Sequence, residues 1–288
     1  MTDTFFKDVV ELGKIRISFF VALSALTGYY LYTGHVDLLS AVIYAGVFIL
    51  SSGSSALNQY QEHEADALMN RTRNRPVPAG RMSDKTALLV SLFLIIAGSL
   101  ILLLGGNVIA VVMGLLAVLW YNGIYTPLKH RTPFAVVPGS VVGALPPLIG
   151  WTAAGGYAFD PGILAVAFFF FIAQIPHFWL ILLMLGDDYR KSGMPVLTDV
   201  FSVRQVRRIT FIWLSATALT GMGLSLYGLI SYPFLRFLLQ LFSILLLISS
   251  SNLLFPPGKR KHKRSAEFLK LNSYVLLIMI ILVTDSLL

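Results

Sequence analysis

Two stretches, ALLVSLFLIIAGSLILLLGG at 87–106 and ILAVAFFFFIAQIPHFWLILLML at 163–185, contain no Asp, Glu, Lys or Arg. As helices, each is long enough to cross the roughly 30 Å hydrocarbon layer of a bilayer. A chain carrying such runs folds in a membrane, and 56% hydrophobic residues with a mean hydropathy of +0.76 show that the pattern is general. Polar and Gly/Pro breaks divide the chain into nine expected spans, at 17–33, 39–57, 87–104, 108–124, 134–152, 162–184, 209–229, 234–254 and 268–286. The predicted fold class is an all-α polytopic membrane protein, with residues 1–288 forming a single transmembrane domain. No cysteine is present, which excludes disulfides and thiolate metal sites. The charged N-terminus lacks a small-residue cleavage site, so no removable signal peptide is expected.

Charge fixes the topology. Of the 22 Lys and Arg, 21 fall in 1–16, 58–86, 125–133, 185–208 and 255–270, and only Arg236 lies on the opposite side. The positive-inside rule puts those segments and the N-terminus in the cytoplasm, and the C-terminus outside. The net charge of +8 is therefore topogenic, and no nucleic-acid partner is expected. The run KRKHKR at 259–264 reads as a loop facing anionic lipid headgroups.

Against that background NQYQEHEADALMNRTRNRP at 58–76 is unusual, gathering three carboxylates and three arginines. Asn58, Glu62 and Asp66 recur every four residues, so on a helix they form one stripe with a drift of about 40° per step. Stacked carboxylates repel, and hard oxygens without His or Cys suit Mg2+, which shares its shell with water and substrate phosphates. Arg71, Arg73 and Arg75 follow, and guanidinium groups bind phosphate oxygens in pairs. Pro76 and Pro78 are expected to end the helix. The combination predicts a metal-bridged diphosphate site, against the plainer alternative of a salt-bridged loop. A second cluster, GDDYRKSGMP at 186–195, carries Asp187 and Asp188 at the equivalent end of the sixth span, a spacing that hints at an old duplication. Between the two lies YTPLKHRTP at 125–133, whose Tyr125 and Lys129 are placed to reach the same cavity.

NxxxExxxDxxMxRTxxRP, YTPLKxRTP, PPLIGW, PHFW and DYxxxGMPxL together resemble the UbiA superfamily of intramembrane prenyltransferases, and its heme-farnesylating branch in particular. The likeness runs from about residue 14 to 280. It implies that Asn58, Glu62, Asp66 and Asp188 hold Mg2+, and that Arg71, Arg75, Lys129 and Tyr125 bind the diphosphate. Asp187 and Asp188 would complete a second acidic site, and these acids with the first stripe would be catalytic. The implied reaction takes farnesyl diphosphate and heme b at the cytoplasmic face of the inner membrane and yields heme O, for handover to heme A synthase or a terminal oxidase. The sequence departs from the superfamily at Glu62, more often Asp, and in lacking a DxxxD spacing around Asp187 and Asp188.

His177, inside an apolar span and after Pro176, is expected to contact heme, since imidazole ligates iron. Its alternative role is a hydrogen bond to carbonyls freed by a proline kink. Phe168, Phe169 and Phe170 are expected along the prenyl tail, with lipid-facing or core packing as the alternative. Pro146 and Pro147 are expected either to shape the acceptor pocket or to serve packing alone. Two other functions stay open: prenylation of an aromatic quinone precursor, and cation transport through the intramembrane acids.

Overall fold

A computed structural model of the protein describes residues 2–255 and 264–288. Among them every regular element is helical: α1 (Thr2–Leu12), α2 (Ile15–Thr33), α3 (Leu38–Gln61), α4 (His63–Leu68), α5 (Asp84–Gly105) and α6 (Val108–Lys129), then α7 (Val136–Ala153), α8 (Pro161–Lys191), α9 (Val203–Tyr227), α10 (Pro233–Leu253) and α11 (Arg264–Leu287). All but α1 and α4 are long and apolar enough to cross a membrane, giving nine candidate spans among the described residues. They correspond one to one with the nine predicted from hydropathy, except that α8 runs seven residues past the expected end at 184 and α9 begins six residues before 209. The basic run at 259–264 lies outside the described residues, apart from the backbone of Arg264.

Local sequence sets the helix starts at the end of the bundle opposite the basic loops. Asp37 accepts from the Ser40 amide (2.8 Å), Asn107 from that of Ala110 (3.0 Å) and Asp160 from that of Gly162 (2.8 Å). Each side chain satisfies an amide that the first helical turn leaves without a partner. Packing between spans relies on small residues. A Cβ on Gly28 would lie 1.9 Å from the Pro147 carbonyl oxygen, and one on Gly150 would lie 1.7 Å from that of Ala25. Without side chains there, α2 and α7 touch backbone to backbone, as membrane helices do where apolar surface gives no driving force. Pro146 and Pro147 are both buried in α7, with the Pro147 carbonyl packed in this crossing. Helix α11 closes the bundle by packing on both α2 and α8.

Phe169 and Phe170 belong to the hydrophobic core, where Phe169 meets Tyr274 edge to face at 6.1 Å between ring centres. Phe168 is 54% exposed on the outer side of α8. The expectation that the three phenylalanines line one tail groove therefore fails: successive residues on a helix point about 100° apart.

Candidate active site at the charged end of the bundle

Asn58, Glu62 and Asp66 fold into one buried cluster, while Gln61, Glu64, Arg71 and Arg73 around them are exposed. The helix does not run through the stripe: α3 ends at Gln61, Glu62 takes φ −112° and ψ 10°, and α4 begins at His63. The four-residue ladder nevertheless continues, with the Glu62 amide donating to the Asn58 carbonyl (3.1 Å) and the Asp66 amide to that of Glu62 (2.8 Å). Asn58, Glu62 and Asp66 thus keep one face, all three buried. The helix ends at Leu68, before the prolines, because Met69 is extended; turns then bring Arg75 back to Asp66, while Arg71 and Arg73 are exposed.

Each acid has a cation. Arg75 donates to Asp66 Oδ2 at 2.6 Å. Lys129 Nζ pairs with Glu62 Oε2, and His130 Nε2 lies 3.0 Å from Glu62 Oε1. Burial pushes the Glu62 carboxyl up, but Lys129 and the His130 hydrogen bond overcome it and hold the group at about 2. Asn58 Nδ2 donates to Glu62 Oε2 (2.8 Å) and Thr126 Oγ1 (3.1 Å), while Asn58 Oδ1 accepts from Lys14 Nζ (2.9 Å).

Lys14 was not anticipated. It sits at the joint of α1 and α2 with φ +46°, the only positive φ outside glycine among the described residues. That left-handed turn points the ammonium inward. Burial first, then repulsion from Arg75 and Lys129, lowers its pKa to about 7. In sequence Lys14 looked like one more topogenic charge, and spacing offered no signal for it. The same holds for His130 and Thr126.

The second acidic cluster reaches the first through one residue. Asp188 Oδ2 accepts the backbone amide of Arg71 at 3.3 Å, and Lys191 lies 3.9 Å from Asp188 Oδ1. The Asp187 side chain is 96% exposed and pairs only with Arg190, at 3.7 Å. Both acids lie in the last turns of α8 and not in a loop, so their side chains diverge. Tyr189 lies in the field of Glu62, Asp66, Arg71 and Arg75. Beside the cluster opens a small cleft of about 30 Å³ lined by Tyr125, Lys129, Phe178, Leu182, Tyr189 and Met194. Lys129 stands 5.5 Å from the Tyr125 ring centre, within cation–π range.

His177 is apart from this cluster. Its Nδ1 meets Asn272 Oδ1 of α11 at 2.9 Å, and its ring lies 4.8 Å from that of Phe268. The partner is a side-chain amide and not a freed carbonyl, since α8 continues through Pro176.

The donor set suits Mg2+ in type: the oxygens of Glu62, Asp66 and Asp188, with Arg75 engaging only Oδ2 of Asp66. No three acidic or imidazole side chains among the described residues surround a common point.

Structures of known proteins share this bundle. One of digeranylgeranylglyceryl phosphate synthase superposes with a TM-score of 0.78 at 15% identity, covering 98% of each chain. A UbiA homologue from Archaeoglobus fulgidus bound to GPP and Mg2+ gives 0.67 at 12% identity, covering 96% of this chain and 99% of that one. The fold is thus that of the intramembrane UbiA homologues. Residues 21–274 match the UbiA prenyltransferase family, and the chain belongs to it. Among curated relatives, protoheme IX farnesyltransferase of Oleidesulfovibrio alaskensis is 33% identical over 96% of this chain and 95% of its own. Those of Nitratidesulfovibrio vulgaris and Geobacter sulfurreducens are 34% and 40% identical, over 84% and 76% of this chain and 85% and 81% of their own.

Proposed function

We propose that the protein is a heme O synthase, transferring the farnesyl group of farnesyl diphosphate to the 2-vinyl group of heme b. The observation that carries the prenyl-transfer half is the joining of two polar clusters, 117 residues apart, where Asp188 accepts the Arg71 amide. The choice of heme as acceptor rests on the relatives named protoheme IX farnesyltransferase. Residues 1–288 act as one catalytic domain, multi-pass in the inner membrane with the site facing the cytoplasm. The positive-inside distribution supports that orientation.

In the reaction, the C1–O bond of the prenyl diphosphate breaks and its electron pair leaves with the diphosphate. The vinyl carbon of heme attacks the allylic cation. Water captures the resulting cation and loses a proton, leaving a hydroxyethylfarnesyl group. Arg71, Arg75, Lys129 and Lys14 bind and neutralise the leaving diphosphate, with Tyr125 beside it. Asn58 orients Glu62 and passes one hydrogen bond to Thr126. Asn58, Glu62, Asp66 and Asp188 would hold Mg2+, which when bound supplies further charge neutralisation. The protein's own share is positioning and charge stabilisation. Asp187 takes the outer rim of the site, His177 contacts the acceptor, and the product passes to heme A synthase or a terminal oxidase.

The test is product mass. Purified protein with Mg2+, farnesyl diphosphate and either heme b or 4-hydroxybenzoate should give heme bearing one farnesyl group and one water. A prenylated benzoate without farnesylated heme overturns the acceptor. Cation flux in proteoliposomes without any prenyl transfer overturns the enzyme reading.

A further inference from the structure

The acid stripe and its cationic partner come from α3 and α6, and Lys129 meets Glu62 across 67 residues of sequence. Something must set the register between these two helices. Pro127 lies near the end of α6; it has no N–H, and its ring crowds the carbonyl four residues back. Before it, Leu119–Tyr125 widens into a π-helix, with the Thr126 amide donating to the Tyr121 carbonyl five residues earlier. In that ladder the Asn122 carbonyl would take its hydrogen bond from residue 127, which has none to give. Gln61 Nε2 supplies it instead, at 3.1 Å.

The pair is reciprocal. Asn122 Nδ2 donates to Gln61 Oε1 (3.1 Å) and to the Ser54 carbonyl (3.0 Å), and Ser54 Oγ donates to Asn122 Oδ1 (2.6 Å). Gln61 immediately precedes Glu62, and Asn122 stands one turn before Thr126, which Asn58 holds. A π turn contains one residue more than an α turn, and one residue on a helix is worth about 100° of rotation. The widened turn therefore decides whether Tyr125 and Lys129 face the stripe.

We propose that Gln61 and Asn122 form a positioning clamp that locks the π turn of α6 and so sets the binding geometry for the diphosphate head. The clamp touches no substrate, and it rests on the prenyl-diphosphate reading above. Gln61 is exposed at the rim, so replacing it costs the fold little, whereas Asn122 is buried.

The experiment compares wild type, Gln61→Met, Asn122→Ala and a deletion of Gly123. Binding of farnesyl thiodiphosphate and of inorganic pyrophosphate is measured with Mg2+, alongside the heme Soret band and thermal stability in detergent. Gln61→Met should weaken both phosphate ligands about tenfold while leaving heme binding and Tm unchanged. The deletion, which turns Lys129 away, should weaken them further. Gln61→Met binding both ligands as wild type does, or losing heme and stability in step with them, overturns the clamp whether or not Asn122→Ala folds. Wild-type protein that binds pyrophosphate but no prenyl chain overturns the function and leaves the clamp to be scored with pyrophosphate.

Discussion

The two acidic clusters have similar composition and equivalent places, each joining carboxylates to Arg or Lys at the charged end of an even-numbered span. Burial separates them. The Glu62 and Asp66 side chains are 5% and 2% exposed, while Asp187 is 96% exposed. The cause is backbone path. After Leu68 the chain turns back, and Arg75 returns across nine residues to Asp66. After Met184, α8 simply runs on, so adjacent acids point to different sides and only Asp188 meets the first cluster. A buried carboxylate survives only with a partner in place; an exposed one needs none. The first cluster pairs Asp66 with Arg75 and Glu62 with Lys129, while Lys14 is held on Asn58 beside them, so the cations gathered there outnumber the acids whenever Lys14 carries its proton. The second contributes one carboxylate to the edge of that cluster.

The largest expected effect tests the buried side. Asp66→Asn should cut prenyl transfer about 10²–10³-fold, as loss of a preorganised charge does. Raising Mg2+ should not restore it. Arg75 keeps access to water at 17% exposure, so the variant should still purify as a folded protein. Steady-state product formation beside a thermal melt checks both points, and turnover near wild type would remove the buried cluster from the chemistry.

An effect of about tenfold is expected from Lys14→Met, read as weaker binding of farnesyl thiodiphosphate. Stability should move the other way. The unfolded chain keeps the Lys14 proton up to its ordinary 10.5, whereas the folded protein releases it at about 7, because of burial and then Arg75 and Lys129. The unfolded state therefore binds more protons between those values, and the stability of the EDTA-treated protein should climb with pH across that window. Melts of the Lys14→Met variant should lose that slope. An unchanged slope would mean that Lys14 is hydrated.

What could be read from sequence follows the same divide. The spans were legible because hydropathy and the alternation of Lys and Arg are summed over many residues. The stripe was legible because four-residue spacing survives even a helix break at Glu62, where the hydrogen-bond ladder continues. Lys14 was illegible, since a single left-handed residue turns an ordinary loop charge inward. Asn272, 95 residues from His177, leaves no local mark either. Asp187 was overread for the opposite reason: adjacency in sequence looked like a shared site, yet on a helix neighbours diverge.

The smallest effect discriminates within the second cluster itself. Asp187→Asn removes one partner of an exposed ion pair with Arg190, an interaction contributing at most about 1 kcal/mol and often nothing. Its kcat, KM and Tm should stay within about twofold and a degree or two of wild type. Asp188→Asn should instead raise the KM for farnesyl diphosphate and the Mg2+ concentration needed for half-maximal rate, because Asp188 is the residue that accepts the Arg71 amide. Measured together in one Mg2+ titration, the two neighbours should separate cleanly. If Asp187→Asn proved the more damaging, the end of α8 would have to rotate during turnover by about the 100° that separates consecutive helical residues, and the second cluster would be the moving half of the site.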